Sequence, residues 1–118
     1  MNSYKELIVW KKAVDLSVAL YAATANIPKT ERFELVSQMH RAAVSIPSNI
    51  AEGYGRKSKK EFHYFLKIAY GSCAELETQL EIAQRLSFVD KETFTSLADR
   101  LGEIKRMLDA ILYKNRVT

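Results

Sequence analysis

The chain has 118 residues, of which 47% are hydrophobic and 27% charged, with four Gly, two Pro, one Cys and a formal net charge of +4. This length and composition predict one globular domain over residues 1–118 and exclude a disordered or collagen-like chain. No apolar run approaches the roughly 20 residues of a membrane-spanning helix, and the lone Cys73 cannot form an intrachain disulfide, so we expect a cytoplasmic protein without a membrane partner.

A first helix is predicted to begin at Ser3, whose hydroxyl precedes Glu6 by three residues in the pattern of a capping box. Apolar residues then recur at every third or fourth position along two stripes. One stripe comprises Leu7, Trp10, Val14, Val18 and Tyr21, and the other comprises Ile8, Leu16 and Leu20. A helix with two apolar stripes needs more than one neighbour, which favours burial of the second stripe in an oligomer.

A second helix follows Pro28, which disfavours helical backbone at the residue before it. Thr30 is its predicted N-cap, and Phe33 begins its apolar face. Pro47 lies inside the pattern and predicts a kink near residues 43–47, because proline lacks an amide hydrogen and clashes with a preceding carbonyl. We expect the helix to end at residues 53–55, where glycine can adopt left-handed backbone angles.

Two further helices are predicted from their caps and apolar spacing. Ser58 and Glu61 form a second capping box, and the third helix extends to about Leu86. Asp90 is the predicted cap of the fourth helix, which continues through Leu112. No strand-like alternation occurs in the sequence. Four helices of about 20 residues joined by short loops predict an all-α, up-down-up-down four-helix bundle.

Polar residues follow one another at steps of three or four along the second helix, with matching positions on the third. They are Gln38, Arg41, Ser45, Asn49, Glu52, Ser72 and Glu75. We interpret this stripe as a polar seam between helices or a contact between subunits, with Arg41 paired to Glu52 or Glu75. The alternative is a ligand or catalytic cleft, because a guanidinium and two carboxylates can perform acid–base chemistry.

Positive charge is concentrated in residues 28–60, which carry seven basic and three acidic residues. Four of the basic residues lie close together between the second and third helices. They are Arg56, Lys57, Lys59 and Lys60, flanked by Tyr54 and His63. Closely spaced cations bind phosphates by releasing counterions, and an aromatic ring can stack on an unpaired base. These four residues are therefore candidate nucleic-acid contacts, and the alternative is a solvated loop.

Signatures of enzyme and metal chemistry are weak in this sequence. His40 and His63 lie far apart and lack the His/Cys spacing that is typical of zinc sites. The pair Ser72 and Cys73 has no obvious neighbouring base, and no glycine-rich phosphate loop occurs. We therefore expect no catalytic residues, no metal ligands and no cofactor.

Five segments carry a more specific pattern. They are LIVWKKA at residues 7–13, PKTERFEL at 28–35, QMHRAAVSIPSNIAEG at 38–53, FLKIAYGS at 65–72 and ELETQL at 75–80. In this order they resemble the four helix bundle protein family, which includes proteins encoded in intervening sequences of bacterial 23S ribosomal RNA genes. The resemblance covers residues 5–86 and extends to the last helix only by pattern.

The resemblance implies a four-helix bundle that assembles into a ring-shaped homopentamer. Relatives of the family include accessory variability determinant proteins of diversity-generating retroelements, basic pentamers that bind a reverse transcriptase and nucleic acid. We therefore expect a non-enzymatic accessory protein that binds RNA or DNA. The alternative is a scaffold that binds a protein such as a reverse transcriptase without contacting nucleic acid. The polar stripe falls on positions of the family pattern, which fits either a shared packing seam or a shared ligand site.

Overall fold

The computed structural model describes residues 3–114. The chain forms a short 3-10 helix at Tyr4–Glu6, α1 at Ile8–Thr24, a second 3-10 helix at Lys29–Glu31, α2 at Leu35–Gly55, α3 at Lys59–Arg85 and α4 at Lys91–Lys114. No strand occurs in this part of the chain. The predicted all-α class and the four helices are confirmed. None of these helices combines the length and apolar character needed to cross a membrane.

The four helices pack in a closed order, α1 on α2, α2 on α3, α3 on α4 and α4 on α1. The contacts between α2 and α3 show their relative direction. Ser45 contacts Ser72, whereas Gly53, later in α2, lies against Phe65, earlier in α3. The two helices are therefore antiparallel, and since the other connections are also short, direction alternates along the chain. The bundle measures 45 × 23 × 20 Å.

One continuous hydrophobic core fills the bundle, and α1 contributes Val9, Ala13, Leu16 and Leu20 to it. The two apolar stripes predicted on α1 do not divide into one buried and one exposed stripe, because each has buried or partly buried members and exposed members. Leu16 and Leu20 are buried, but the exposed fractions of Ile8, Val18 and Tyr21 are 60%, 66% and 49%. The face of α1 that carries Val9 and Ala13 packs in the core. Much of the remaining apolar surface of α1 therefore faces away from the bundle.

The beginning of α2 differs from the prediction. Thr30 lies in the 3-10 helix and does not cap α2, which begins at Leu35. Glu34 has a non-helical backbone (φ −117°, ψ −98°), so a helix cannot continue from the 3-10 turn into α2. Phe33 consequently lies outside the helix, and 83% of it is exposed rather than packed in the core.

The helix caps follow the sequence pattern closely. The Ser58 hydroxyl accepts a hydrogen bond from the Glu61 amide at 3.3 Å, and the Asp90 carboxylate accepts one from the Thr93 amide at 2.7 Å. Both predicted caps are confirmed. Ser3 accepts from the Lys5 amide at 3.1 Å, but it caps the short 3-10 helix rather than α1.

Two glycines, Gly53 and Gly55, lie in the last turn of α2. The helix ends at Gly55, as predicted, and the buried Pro47, where a kink was expected, lies inside it without interrupting it. Neither Gly53 nor Gly55 has a positive φ, so the expected left-handed glycine is wrong, and Lys57 (φ 57°) adopts that conformation instead. A Cβ at Gly53 would lie 2.7 Å from the Cβ of Phe65. Gly53 is therefore needed for the close approach of α2 and α3.

Candidate functional site

The four predicted phosphate contacts form the connection between α2 and α3, which we call the basic segment. Arg56 follows the last residue of α2, Lys57 makes the turn, and Lys59 and Lys60 begin the first turn of α3. All four side chains are exposed. Ser58 fixes the segment by capping α3, so the backbone that carries these cations is held by hydrogen bonds at both helix ends.

Arg56 differs from the three lysines because its charge is already paired. Its Nε lies 2.8 Å from the Glu52 carboxylate, and its Nη1 lies 3.5 Å from that of Glu61. The guanidinium also lies 5.1 Å from the centroid of the Phe65 ring. Exposed ion pairs of this kind contribute little stability individually. Together these contacts hold Arg56 against the α2–α3 junction and leave less of its charge for a ligand.

Lys57, Lys59 and Lys60 have no carboxylate within 4.0 Å among residues 3–114. Lys59 and Lys60 lie in the first turn of α3, where the helix dipole is also positive. Glu61 lies in the same turn, and its carboxylate is 3.5 Å from Arg56. The amide dipoles and the two ammonium groups add to one another, which favours phosphate groups at this helix end.

The distribution of charge makes the two ends of the bundle different. The end that holds the basic segment comprises residues 3–11, 52–64 and 109–114, with seven basic and four acidic residues. The opposite end comprises residues 21–34 and 81–92, with four basic and five acidic residues. The net charges are therefore +3 and −1. A polyanion is attracted to the first end and not to the second.

The two aromatic residues predicted to flank the basic segment, Tyr54 and His63, are less accessible than a base-stacking role requires. Tyr54 is half-buried, and its ring packs edge-on against Phe62 at 6.0 Å between centroids. His63 is half-buried as well. The accessible ring is that of Tyr64, which is 60% exposed on the first turns of α3. Tyr64 was not among the predicted nucleic-acid contacts, although it follows Lys60 by four residues and so lies on the same side of the helix.

The middle of the polar stripe lies in the contact between α2 and α3. The hydroxyl oxygens of Ser45 and Ser72 are 2.8 Å apart. The Asn49 amide nitrogen donates to the carbonyl oxygen and the hydroxyl of Ser45, at 2.8 and 2.9 Å. Ser72 is buried and the other two are half-buried. These three residues form a compact polar contact between the two helices.

The charged members of the stripe are not brought together. Arg41 donates to the Ser37 hydroxyl at 3.3 Å, and Glu52 pairs with Arg56, so the predicted pairing of Arg41 with Glu52 or Glu75 is not formed within the chain; a pairing between subunits stays a prediction. Arg41 and Glu52 lie eleven residues apart on one helix, about 16 Å along its axis at 1.5 Å per residue. Their side chains cannot meet at that separation.

The remaining stripe residues, Gln38 and Glu75, are exposed, as are Arg41 and Glu52. A cleft formed by Arg41, Glu52 and Glu75 is therefore not assembled in a single chain. Across residues 3–114, no group of three or more His, Cys, Asp or Glu side chains is arranged to hold a metal ion.

A groove of about 260 Å³ between α3 and α4 holds a charged contact that the sequence did not indicate. Lys105 Nζ lies 2.9 Å from the Glu77 carboxylate and 5.4 Å from the centroid of the Tyr70 ring. The hydrogen bond to Glu77 raises the pKa of Lys105. Nearby, burial raises the pKa of the Cys73 thiol to about 12. This thiol is protonated at neutral pH and is a poor nucleophile.

The structure is similar to the crystal structure of a protein of unknown function from the S23 ribosomal protein family of Bacteroides thetaiotaomicron. The TM-score is 0.83 and the identity 25%, over 89% of this chain and 98% of that chain. No curated protein matches the chain significantly. The family described as 23S rRNA-intervening sequence protein matches residues 5–110. The chain therefore belongs to the 23S rRNA-intervening sequence protein family.

Proposed function

We propose that this protein is a non-enzymatic, oligomeric accessory protein that binds RNA or DNA through the basic segment. The observation that carries the proposal is the trio Lys57, Lys59 and Lys60 at the positive end of the bundle, which is exposed and has no ion pair with any of residues 3–114. Arg56 has a positioning role, because Glu52 and Glu61 hold it at the junction.

Three lysines bind a polyanion only weakly, so the proposal includes assembly into a ring-shaped homopentamer. The resemblance of the chain to its family suggests the ring, and the exposed Ile8, Val18 and Tyr21 of α1 support self-association. In a ring, copies of the basic segment contact one nucleic acid at the same time. Linked weak contacts then give an avidity far above that of one chain.

A second candidate function is a scaffold that binds a protein, such as a reverse transcriptase, without contacting nucleic acid. The observation that favours it is Phe33, which is 83% exposed in the connection between α1 and α2. Arg32 lies 5.2 Å from the centroid of its ring. Exposed aromatic and arginine side chains are frequent anchors of protein interfaces. Phe33 lies at the opposite end of the bundle from the basic segment, so the two candidates use separate surfaces.

The test is fluorescence anisotropy with a labelled structured RNA and a labelled DNA duplex, at low and physiological salt. In the first variant, Lys57, Lys59 and Lys60 are replaced by Ala. We expect its affinity to fall about tenfold or more, and the salt dependence for DNA to weaken by about 0.9 log unit per log unit of salt for each lost phosphate contact.

The matched control removes the same charge elsewhere by replacing Lys29, Lys91 and Arg100, which are also exposed, by Ala. This variant should bind nearly as tightly as the natural chain. An equal loss in both variants would assign binding to net charge rather than to the basic segment. If a well-formed oligomer binds neither ligand at low salt, the nucleic-acid function is wrong and the scaffold replaces it.

A further inference from the structure

Tyr64 carries an open aromatic ring on α3, beside the basic segment. Its side chain is 60% exposed, and it follows Lys60 by four residues, about 6 Å along the helix axis. Side chains of a helix lean toward its N-terminus, so the ring lies over the turn that carries Lys60. The ring is therefore within reach of a ligand that the neighbouring lysines bind.

The ring of Tyr64 is supported from one side by Phe65. The two ring centroids lie 5.2 Å apart, with an interplanar angle of 84°. Phe65 is itself held in place, because it packs closely on Gly53 and the Arg56 guanidinium lies 5.1 Å from its ring centroid. An edge-on contact covers at most one face of a ring, so a flat face of Tyr64 stays open. A ring held in this way loses little conformational entropy when a ligand stacks on it.

Two lysines line the other side of the Tyr64 ring. Lys60 and Lys67 lie about 40° and about 60° from Tyr64 around the helix, in the same sense. Both are exposed, and in the part of the chain that the structure describes neither has a carboxylate within 4.0 Å. Glu61 lies about 60° away in the opposite sense, and its carboxylate is 3.5 Å from Arg56. The ring is thus bordered by unpaired cations on one side and by an ion pair on the other.

We propose that the ligand of the basic segment is single-stranded RNA or DNA, and that one base of the strand stacks on Tyr64. The phosphates lie beside Lys60 and Lys67, so that a base attached to them reaches the adjacent ring. An unpaired base can present its flat face to an aromatic side chain, whereas a duplex keeps that face inside its own stack. Tyr64 is therefore the residue that selects single strands.

This inference rests on the proposed function, because it names the kind of nucleic acid that the basic segment binds. The lysines supply an attraction that every polyanion shares. Tyr64 adds an attraction that only unpaired bases receive. Since every base has a π-face, stacking tolerates changes of sequence. We therefore expect selectivity for single strands over duplexes and little selectivity among base sequences.

The experiment is fluorescence anisotropy at low salt, with a labelled single-stranded DNA of mixed sequence and the blunt duplex that it forms with its complement. The natural chain should bind the single strand more tightly. Tyr64→Ala should lower the affinity for the single strand about fivefold or more, as expected for the loss of one stacked base. Its affinity for the duplex and its salt dependence should not change, because tyrosine carries no charge.

Two matched variants separate stacking from other effects. Tyr64→Phe keeps the ring and should keep the affinity for the single strand. Phe33→Ala removes a ring that is 83% exposed at the opposite end of the bundle, and it should bind both ligands as the natural chain does. Tyr64→Ala should also keep the natural circular dichroism and the natural mass in light scattering, because its ring lies outside the core.

A second readout detects the stack itself. Strands that carry a fluorescent adenine analogue at successive positions report stacking, because contact with an aromatic ring quenches the analogue. The natural chain and Tyr64→Phe should quench at least one of these strands, and Tyr64→Ala should not.

Equal or tighter binding of the duplex by the natural chain would overturn the inference. So would an unchanged single-strand affinity in Tyr64→Ala, or a lower mass, which would assign the ring to a contact between subunits. Failure of the proposed function gives a different result, namely no loss of affinity when Lys57, Lys59 and Lys60 are replaced by Ala. If that variant loses affinity and Tyr64→Ala does not, the basic segment binds nucleic acid without stacking.

Discussion

At the contact between α2 and α3, small residues allow the two helices to lie close together. Gly53 faces Phe62 and Phe65 without a side chain of its own, and Ser45 reaches the buried Ser72 with a 2.8 Å hydrogen bond. Because the helices approach closely, the last turn of α2 lies beside the first turn of α3. Single side chains thus position the basic segment, although they lie outside it.

Gly53→Ala should lower the free energy of unfolding by about 2 kcal/mol, because the added methyl group would force α2 and α3 apart. This loss exceeds the gain of about 1 kcal/mol that alanine normally gives inside a helix. The measurement is urea denaturation followed by circular dichroism. Gly55→Ala is the matched control, since a Cβ there meets nothing within 4 Å. Equal stability of the two variants would contradict the packing role of Gly53.

At the scale of the helices, local caps decide where α3 and α4 begin. Ser58 and Asp90 each satisfy a backbone amide three residues later. The amide of Thr93 and its hydroxyl stabilise the ionised carboxylate, so the pKa of Asp90 lies below its ordinary value of 3.8. Because the capping group is an ionisable carboxyl, the stability that it contributes depends on pH.

Asp90→Ala should lower the melting temperature at neutral pH, because one amide at the beginning of α4 loses its partner. The folded pKa is lower than the unfolded pKa, so the stabilising effect of ionised Asp90 is complete above the unfolded value and is lost as the pH falls through the folded value. The difference in melting temperature should therefore shrink below about pH 3.8. A difference that is the same at pH 7 and pH 2.5 would contradict an ionised cap. Thermal melts across this range provide the measurement.

At the scale of the whole molecule, charge and apolar surface lie in different places. The end with the basic segment has a net charge of +3, whereas apolar surface without a partner lies on the outer sides of α1 and α3. Assembly through these sides would leave the charged ends accessible. The proposed ring is therefore compatible with nucleic-acid binding at the basic end.

Val18→Glu tests the use of α1 in the proposed ring. Val18 is 66% exposed in the single chain, so the change should leave the melting of the isolated bundle nearly unaltered. Burying the new carboxylate between subunits is unfavourable, so the mass from light scattering should fall. Ser96→Glu, at an exposed position of α4, should keep the natural mass. An unchanged mass for Val18→Glu would exclude this side of α1 from the interface.

Much of the fold could be predicted because its signals are local. Apolar residues at steps of three and four identified the four helices, and the caps at Ser58 and Asp90 depend on residues only three positions apart. The prediction failed at Phe33, which continues the apolar pattern of α2 but lies outside the helix. The backbone at Glu34 interrupts the helix there, and no residue at that position is a strong helix breaker.

The candidate site shows the same division. The sequence identified the exposed cations of the basic segment because their density is a property of neighbouring residues. Helical spacing alone allows the pair of Arg56 with Glu52, four residues apart, and excludes a pair of Arg41 with Glu52, eleven residues apart. Only the tertiary structure showed that Ser45 and Ser72 meet across the two helices. Periodicity tells which residues share a helical face, but the packing of the other helices decides which face is buried and which charges meet across an interface. Burial of a face and contacts across an interface depend on residues that are distant in sequence, so only the three-dimensional packing decides them.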